Sequence, residues 1–403
     1  MQYRKMKKTN EELSILGYGC MRLPEKNNKI DEENAKKQLL HAIDKGVNYI
    51  DTAFPYHMGE SEPFLGRALT GGFRQKVKLA TKLPQFLVKN RDDMDVFFNK
   101  QLRNLKTDYI DYYLIHSLDG PSWKKMKEFN IFDFMDKIKK TGKIKHIGFS
   151  FHGKSDDFKC IIDDYNWDFC QIQYNFLDEK NQAGKDGLKY AAAKDLGVVI
   201  MEPLRGGMLT NNIPEEVTKI WDKSDKKWSP AEWALRWIWN HPEVTVVLSG
   251  MNNMEHINEN LRIAKDAKAE TLMRNELELV NRVKDKYREL MKVNCTGCRY
   301  CMPCPAGVNI PMCFEVFNNR YLTDKKFYYK VEYGIRMGGL VGEKGFASKC
   351  IDCGKCEKHC PQHIEIRKEL NNVKKEFENF ALKFIIFFGK IFMSGMRKKA
   401  LKK

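Results

Sequence analysis

The sequence predicts an α/β chain in two parts, a (β/α)8 TIM barrel followed by a smaller, mainly helical, cysteine-rich domain. Three observations lead there. Between residues 15 and 265, eight short apolar runs alternate with eight amphipathic stretches, the pattern of strands and helices in βα units. Glycines sit where helices must turn into strands. Beyond the last unit, eight of the 12 cysteines fall into two tight runs. A length of 403 residues accommodates one large domain and a smaller one.

Taken in order, strands are expected at 15–20, 48–53, 77–82, 109–116, 143–150, 169–175, 198–203 and 245–250. The helical patterns between them cover 33–45, 61–70, 91–105, 131–140, 155–165, 182–196, 230–240 and 254–265. Eight strands each followed by a helix is the count of a closed barrel. Gly46, Gly142 and Gly197 follow helical runs and are expected as turn residues. The stretches 120–129 and 210–227 read as loops that shape substrate selection, with Trp123 and Trp228 as mouth or packing aromatics. The expected division is a barrel at 1–268, a connecting helix at 269–292, a cysteine-rich domain at 293–376 and an amphipathic basic tail at 377–403. One or two helices are expected between the cysteine runs, over 306–348, and another over 365–383.

Cys295, Cys298, Cys301 and Cys304 read C-x2-C-x2-C-x2-C-P, and Cys350, Cys353, Cys356 and Cys360 read C-x2-C-x2-C-x3-C-P. The second spacing is that of bacterial [4Fe–4S] proteins and the first is one residue short of it. Structural zinc uses four ligands in two pairs, which fits two runs of four poorly. Disulfide frameworks suit small secreted domains, and the N-terminus here has no apolar export segment. The expectation is therefore a ferredoxin-like iron–sulfur domain with two [4Fe–4S] clusters, in a cytoplasmic protein of an anaerobic or low-oxygen interior. In two-cluster ferredoxins the fourth cysteine of each run binds the other cluster. That pattern pairs Cys295, Cys298 and Cys301 with Cys360, and Cys350, Cys353 and Cys356 with Cys304. Binding by each quartet locally stays open, as does Cys313 in place of Cys304. Cys20, Cys160 and Cys170 read as small core residues.

The net charge of +17 comes from lysine spread along the chain beside acidic residues and asparagine. That reads as a solvated surface, and no nucleic-acid module signature is present. The segment 380–393 is apolar but holds two lysines and is too short to span a bilayer. It reads as a helix docked on the barrel or on a subunit neighbour in preference to a membrane-surface anchor, the alternative its basic end permits.

Reactive groups of such barrels lie at the C-terminal ends of strands. Asp51 ends the second, Lys82 the third and His116 the fourth, with Tyr56 in the loop after Asp51. A structural Asp–Lys pair or a satisfied histidine would explain any one of these alone. Together, Tyr56 suits a general acid toward a carbonyl oxygen, with Lys82 lowering its pKa. Asp51 would hold Lys82, and His116 would donate a hydrogen bond to the carbonyl.

Leu16-Gly-Tyr-Gly-Cys-Met-Arg-Leu-Pro24, Asn48-Tyr-Ile-Asp-Thr-Ala-Phe-Pro-Tyr56, Ala80-Thr-Lys82 and Tyr113-Leu-Ile-His116 resemble the aldo-keto reductase family. Ile147-Gly-Phe-Ser150, Gln173-Tyr-Asn175, Glu202-Pro-Leu-Arg-Gly-Gly207 and Glu259-Asn-Leu261 continue the match in order. With the cysteine runs, the chain is similar to the iron–sulfur branch of that family. The resemblance implies an NAD(P)H-dependent reductase of aldehydes or ketones with a catalytic tetrad at Asp51, Tyr56, Lys82 and His116. It implies cofactor contacts at Ser150, Gln173, Leu204, Arg205, Gly206, Gly250, Glu259 and Asn260. Met201 stands where many members stack a tyrosine on the nicotinamide. Gly250 and His256 stand where NADP-specific members place cations, which favours NADH. FMN is a further cofactor candidate without a motif, and ferredoxin a further partner beside the carbonyl substrate. Two other readings stay open: a ferredoxin-linked redox enzyme whose clusters supply or accept electrons, and a redox-sensing regulatory subunit with a non-catalytic barrel.

Overall fold

The computed structural model describes all residues except 28, 212, 294, 296–300, 323–325, 341–342, 359, 361–363 and 402–403. Eight parallel strands close into a barrel: β1 (Leu16–Gly19), β2 (Tyr49–Asp51), β3 (Lys78–Leu83), β4 (Ile110–Leu118), β5 (Ile144–Phe151), β6 (Phe169–Gln173), β7 (Gly197–Met201) and β8 (Val246–Ser249). Each pairs with its sequence neighbours, and β8 pairs with β1 to complete the ring.

Alternation along the strands separates two cores. Tyr49, Ala80, Tyr112, Leu114, Phe169, Val199, Val246 and Leu248 fill the barrel interior. Ile50, Leu79, Tyr113, Ile115, Ile172 and Ile200 face the surrounding helices. A hairpin of Tyr3–Lys5 and Glu12–Ser14 lies at the N-terminal end of the strands. From its turn Met6 enters the barrel floor, fully buried.

The outer layer comprises α1 (Glu32–Asp44), α2 (Ser61–Ala68), α3 (Arg91–Leu105), α4 (Gly120–Glu128), α5 (Ile131–Lys140), α6 (Ser155–Asp164), α7 (Gly184–Ala193), α8 (Glu215–Trp221), α9 (Pro230–Trp239) and α10 (Met254–Asp266). Helices α4 and α8 occupy the two stretches that the sequence presents as loops. Gly197 is not a turn residue: Asp195 takes the left-handed conformation (φ 60°) and Gly197 opens β7. A Cβ on Gly197 would stand 2.4 Å from Met6, so close packing of the floor requires the glycine. Trp123 is a core residue, donating from Nε1 to Asp164 at 2.7 Å, and Trp228 packs on Trp233. Of the three barrel cysteines, Cys20 and Cys170 are buried, whereas Cys160 is exposed.

The long helix α11 (Arg274–Leu290) leads into a helical lobe of α12 (Ile310–Leu322), α13 (Lys326–Met337), α14 (Lys355–Lys358) and α15 (Ile366–Phe377). The lobe has its own core, including Val308, Phe314, Phe317, Tyr333, Val373 and Phe377. Tyr333 and Phe377 stack at 4.6 Å between ring centroids. Cys313 belongs to this core, its Sγ 3.8 Å from the Tyr333 hydroxyl and 3.5 Å from the Gly345 carbonyl. The helix expected over 365–383 breaks after Phe377, and a last helix, α16 (Phe380–Leu401), follows. It lies against α13 and against α3 of the barrel.

Candidate active site

The inward-facing parity of the strands carries the site. Tyr49 of β2, Ala80 of β3 and Leu114 of β4 fill the interior. Two residues further on, Asp51, Lys82 and His116 continue the same face to the C-terminal mouth. A β-bulge at the end of β4 sets His116 there: the register with β5 shifts between Ile115 and Leu118. Ser117 takes φ 52°, and its N–H donates to Ser150 Oγ at 2.7 Å. Bulges beside a barrel rim re-aim side chains in this way.

Lys82 Nζ donates to Asp51 Oδ1 at 2.7 Å and to the Thr52 carbonyl at 2.8 Å, and stands 3.5 Å from the Tyr56 hydroxyl. The Tyr56 and His116 rings lie edge to face, 6.1 Å apart. Tyr56 opens a tight turn in which His57 and Met58 are left-handed, at φ 50° and 58°. That turn is tied down from the β1 loop. The Leu23 N–H donates to His57 Nε2 at 3.1 Å, and Glu25 Oε1 lies 2.8 Å from His57 Nδ1. Asp51 Oδ2 and His116 Nδ1 are buried without a hydrogen-bond partner.

Burial dominates the electrostatics. It raises the Tyr56 pKa, and Lys82 pulls the other way without reversing the shift. The expected lowering of the phenol by Lys82 is thus present but outweighed. Burial would lower the Lys82 pKa, yet Asp51 and Tyr56 leave it raised. His116 falls well below the ordinary histidine value through burial and then the charge of Lys82. At neutral pH the mouth therefore holds a protonated phenol, an ammonium and a neutral imidazole.

The β5 to β8 side of the mouth is polar. Gln173 donates to Asp178 Oδ2 at 3.1 Å and accepts from Gln182, which reaches His152 Nδ1 at 3.1 Å. Met201 Sδ lies 3.6 Å from Gln171 Nε2. After β7 the loop is strained: Glu202 and Arg205 have φ of 54° and 50°, and Leu204 precedes a 3-10 turn at Arg205–Gly207. Arg205 is buried and pairs with Asp178, Nε to Oδ2 at 2.8 Å. A different cation stands by the glycines. A Cβ on Gly206 would lie 2.9 Å from the Arg22 guanidinium, and one on Gly250 would lie 3.2 Å from Arg22 Cβ. Arg22 belongs to the Met-Arg-Leu-Pro stretch after β1, and its place at a strand end was the signal for it. Asn260 is buried, donating to Ser249 Oγ at 3.0 Å, and Glu259 is half-buried on the same helix.

The helical lobe covers this side of the mouth. Glu315 of α12 accepts from Asn181 at 3.4 Å and pairs with Arg336 of α13 at 3.0 Å. Cys295 lines a small cavity together with Asp178, Arg205 and Glu315. Cys295, Cys301, Cys304, Cys350, Cys356 and Cys360 all pack against the lobe's core, while Cys353 is exposed. Cys298 lies outside the described residues. Among the described residues no three cysteine, histidine or acidic side chains are grouped closely enough to hold a metal ion.

Curated relatives include reductases and oxidoreductases. "NADH-specific methylglyoxal reductase" of Escherichia coli is 26% identical over 330 residues, covering 68% of this chain and 98% of that protein. "Uncharacterized oxidoreductase YqkF" of Bacillus subtilis is 26% identical, covering 66% and 91%. In fold, the holo form of aldo-keto reductase AKR11C1 from Bacillus halodurans matches with a TM-score of 0.58 at 24% identity, over 70% of this chain and 96% of that one. A 4Fe-4S dicluster domain model matches residues 294–365. The aldo/keto reductase family model matches residues 15–275, more than half of the chain. This oxidoreductase, with its ferredoxin-type C-terminal domain, belongs to the aldo/keto reductase family.

Proposed function

We propose that the barrel reduces a small aldehyde or ketone with a hydride from a nicotinamide dinucleotide, NADH in preference to NADPH, and that the lobe holds two [4Fe–4S] clusters. The observation that carries this reading is the contact set of Lys82 with Asp51 and Tyr56, with His116 across the Tyr56 ring. Tyr56 would give its hydroxyl proton to the carbonyl oxygen as a bound nicotinamide supplies hydride to the carbonyl carbon. Lys82, held by Asp51, would offset the charge left on the phenolate. The neutral imidazole of His116 has an N–H with which to polarise the carbonyl.

The mouth fits a dinucleotide. Ser150 and Gln173 lie on adjoining strands where a carboxamide would bind, within an amide network extended by Gln182 and His152. Gly206 leaves the space a side chain would fill beside Arg22, and we assign the pyrophosphate to Arg22 with the backbone around Gly206 and Gly250. Arg205, already paired with Asp178, becomes a positioning residue for that loop. A 2′-phosphate attracts cations, and neither Gly250 nor His256 supplies the lysine or arginine expected for it. In the lobe the donor set of soft thiolates suits iron–sulfur clusters.

The cavity shared by Cys295, Arg205 and Asp178 favours a second reading, in which the first cluster exchanges electrons with the barrel site. Anaerobic purification with iron and sulfide analysis, followed by titration with NADH, NADPH and FMN, tests both. About eight irons per chain and saturable NADH binding are expected. Tight FMN binding with no nicotinamide binding would overturn the first reading, and cluster EPR signals that change during turnover would establish the second.

A further inference from the structure

Helix α16 is apolar on two faces, and only one is covered. Leu382, Ile385, Ile386 and Gly389 face α13 and the loop after it, against Gly334, Gly338 and Leu340. Met396 is buried against the barrel's outer core, with Met393 beside it. The opposite side presents Phe380, Phe384, Phe387, Phe388, Ile391 and Phe392, all exposed, Phe380 by 70% and Phe388 by 62%. Their spacing puts them within an arc of about 140° on a 3.6-residue helix. A contiguous run of exposed aromatics is uncommon on a soluble surface and marks a docking face.

Charge identifies the occupant. Lys383 and Lys390 are exposed along one flank of the stripe, and Lys398 is exposed at the helix end. The sequence there runs Arg397-Lys-Lys-Ala-Leu-Lys-Lys403, on a chain of net charge +17. A second copy of the chain would bring these cations together face to face, so self-association is disfavoured. A phenylalanine-rich stripe bordered by lysines matches the interface of an anionic bilayer, where rings enter the acyl boundary and ammonium groups stay among the headgroups. Among the described residues no single helix is long and apolar enough to cross a membrane, and the one pair that passes by length and composition together, Ile366–Phe377 with Leu382–Met396, is bent by 72°, so α16 would lie in the surface plane.

We propose that the exposed stripe of α16 seats this protein on anionic lipid surfaces. The docked and membrane-facing readings of the tail then apply to opposite faces of one helix. The lobe packs on the covered face through α13, so the lobe would be held near the membrane.

The test is flotation of the full-length, anaerobically purified protein with phosphatidylcholine vesicles, with and without about one quarter phosphatidylglycerol. Wild-type protein should float with the anionic vesicles at low salt and release as ionic strength rises. Phe387→Ser with Phe388→Ser should weaken binding about tenfold or more, and Lys390→Glu with Lys398→Glu about tenfold. All four positions are solvent-facing and distant in sequence from the catalytic candidates, so turnover of a soluble aldehyde should persist. Failure of the wild-type protein to float with anionic vesicles at low salt would overturn the proposal. So would a stable dimer in sedimentation that Phe387→Ser dissociates while vesicles remain unbound, which would assign the stripe to a second copy.

Discussion

At the residue scale, burial keeps the Tyr56 phenol protonated, with the Lys82 ammonium held beside it. The Tyr56→Phe substitution removes the hydroxyl and little else. It should lower kcat about 10²–10⁴-fold while the melting temperature stays within a few degrees; an unchanged kcat would rule out Tyr56 as the proton donor. His152 supplies a pH test of stability. Its pKa is lowered to about 4, by burial first and then by the charge of Arg336. Unfolded, the imidazole takes up a proton below about 6.5, whereas in the folded chain it does so only near 4. The native state is therefore fully favoured above the unfolded value, and that share is lost as pH falls toward 4. His152→Gln should flatten the decline of the urea midpoint between about pH 6.5 and 4.5. An unchanged slope would place the acid sensitivity elsewhere, His116 and His241 being histidines with the same sign of shift.

The strand residues of the candidate site were legible because strand ends and side-chain parity follow from periodicity. Asp51, Lys82 and His116 each sit two residues beyond an interior position. What one chain of letters could not show was which cation meets which carboxylate. Arg205 reads as a phosphate ligand by its Gly-Gly neighbours, and the structure adds a partner the letters do not show, Asp178 at 2.8 Å. The role of Arg22 depends on β8 closing against β1, a contact between segments more than 200 residues apart.

At the scale of elements, the parallel strands were readable because both faces are apolar, which gives eight unbroken runs. Helix α4 was missed because Gly120-Pro121 reads as a breaker. The structure instead uses it as a helix start: Asp119 caps Ser122 N at 2.8 Å, Ser122 Oγ returns the bond, and the proline sits in the first turn. Asp119→Ala should accordingly cost about 1 kcal/mol in urea unfolding, with kcat unchanged. A loss below a few tenths of that figure would mean the cap is redundant. The break between α15 and α16 also lay beyond sequence reasoning. Phe377 stacks on Tyr333, and the Glu378 carboxylate accepts from the Tyr333 hydroxyl and from Ser348 N–H at 3.1 Å. Those tertiary bonds end a helix whose periodicity would have run on.

At the scale of the whole molecule, the barrel and the lobe have separate apolar cores. Their meeting place is charged: Asn181, Asp178 and Arg205 on one side, Glu315 and Arg336 on the other. A lobe organised by metal–thiolate bonds should depend on them for folding, as small metal domains do, while the barrel should not. Iron removal by a chelator is thus expected to abolish a lobe transition in calorimetry and leave the barrel transition within a few degrees. One merged transition that shifts as a unit would show instead that the charged junction couples the two cores.

In the proposed reaction Tyr56, assisted by Lys82 and His116, would protonate a carbonyl that receives its hydride inside the barrel. The most direct measurement is anaerobic turnover of an aldehyde with NADH deuterated at the transferring position, with the alcohol product examined for deuterium. Deuterium is expected on the former carbonyl carbon, one equivalent per NADH consumed, with Tyr56→Phe forming the same product about 10²–10⁴-fold more slowly. Reduction that draws its hydrogen from solvent, or that proceeds from reduced ferredoxin without consuming nicotinamide, would contradict this reaction.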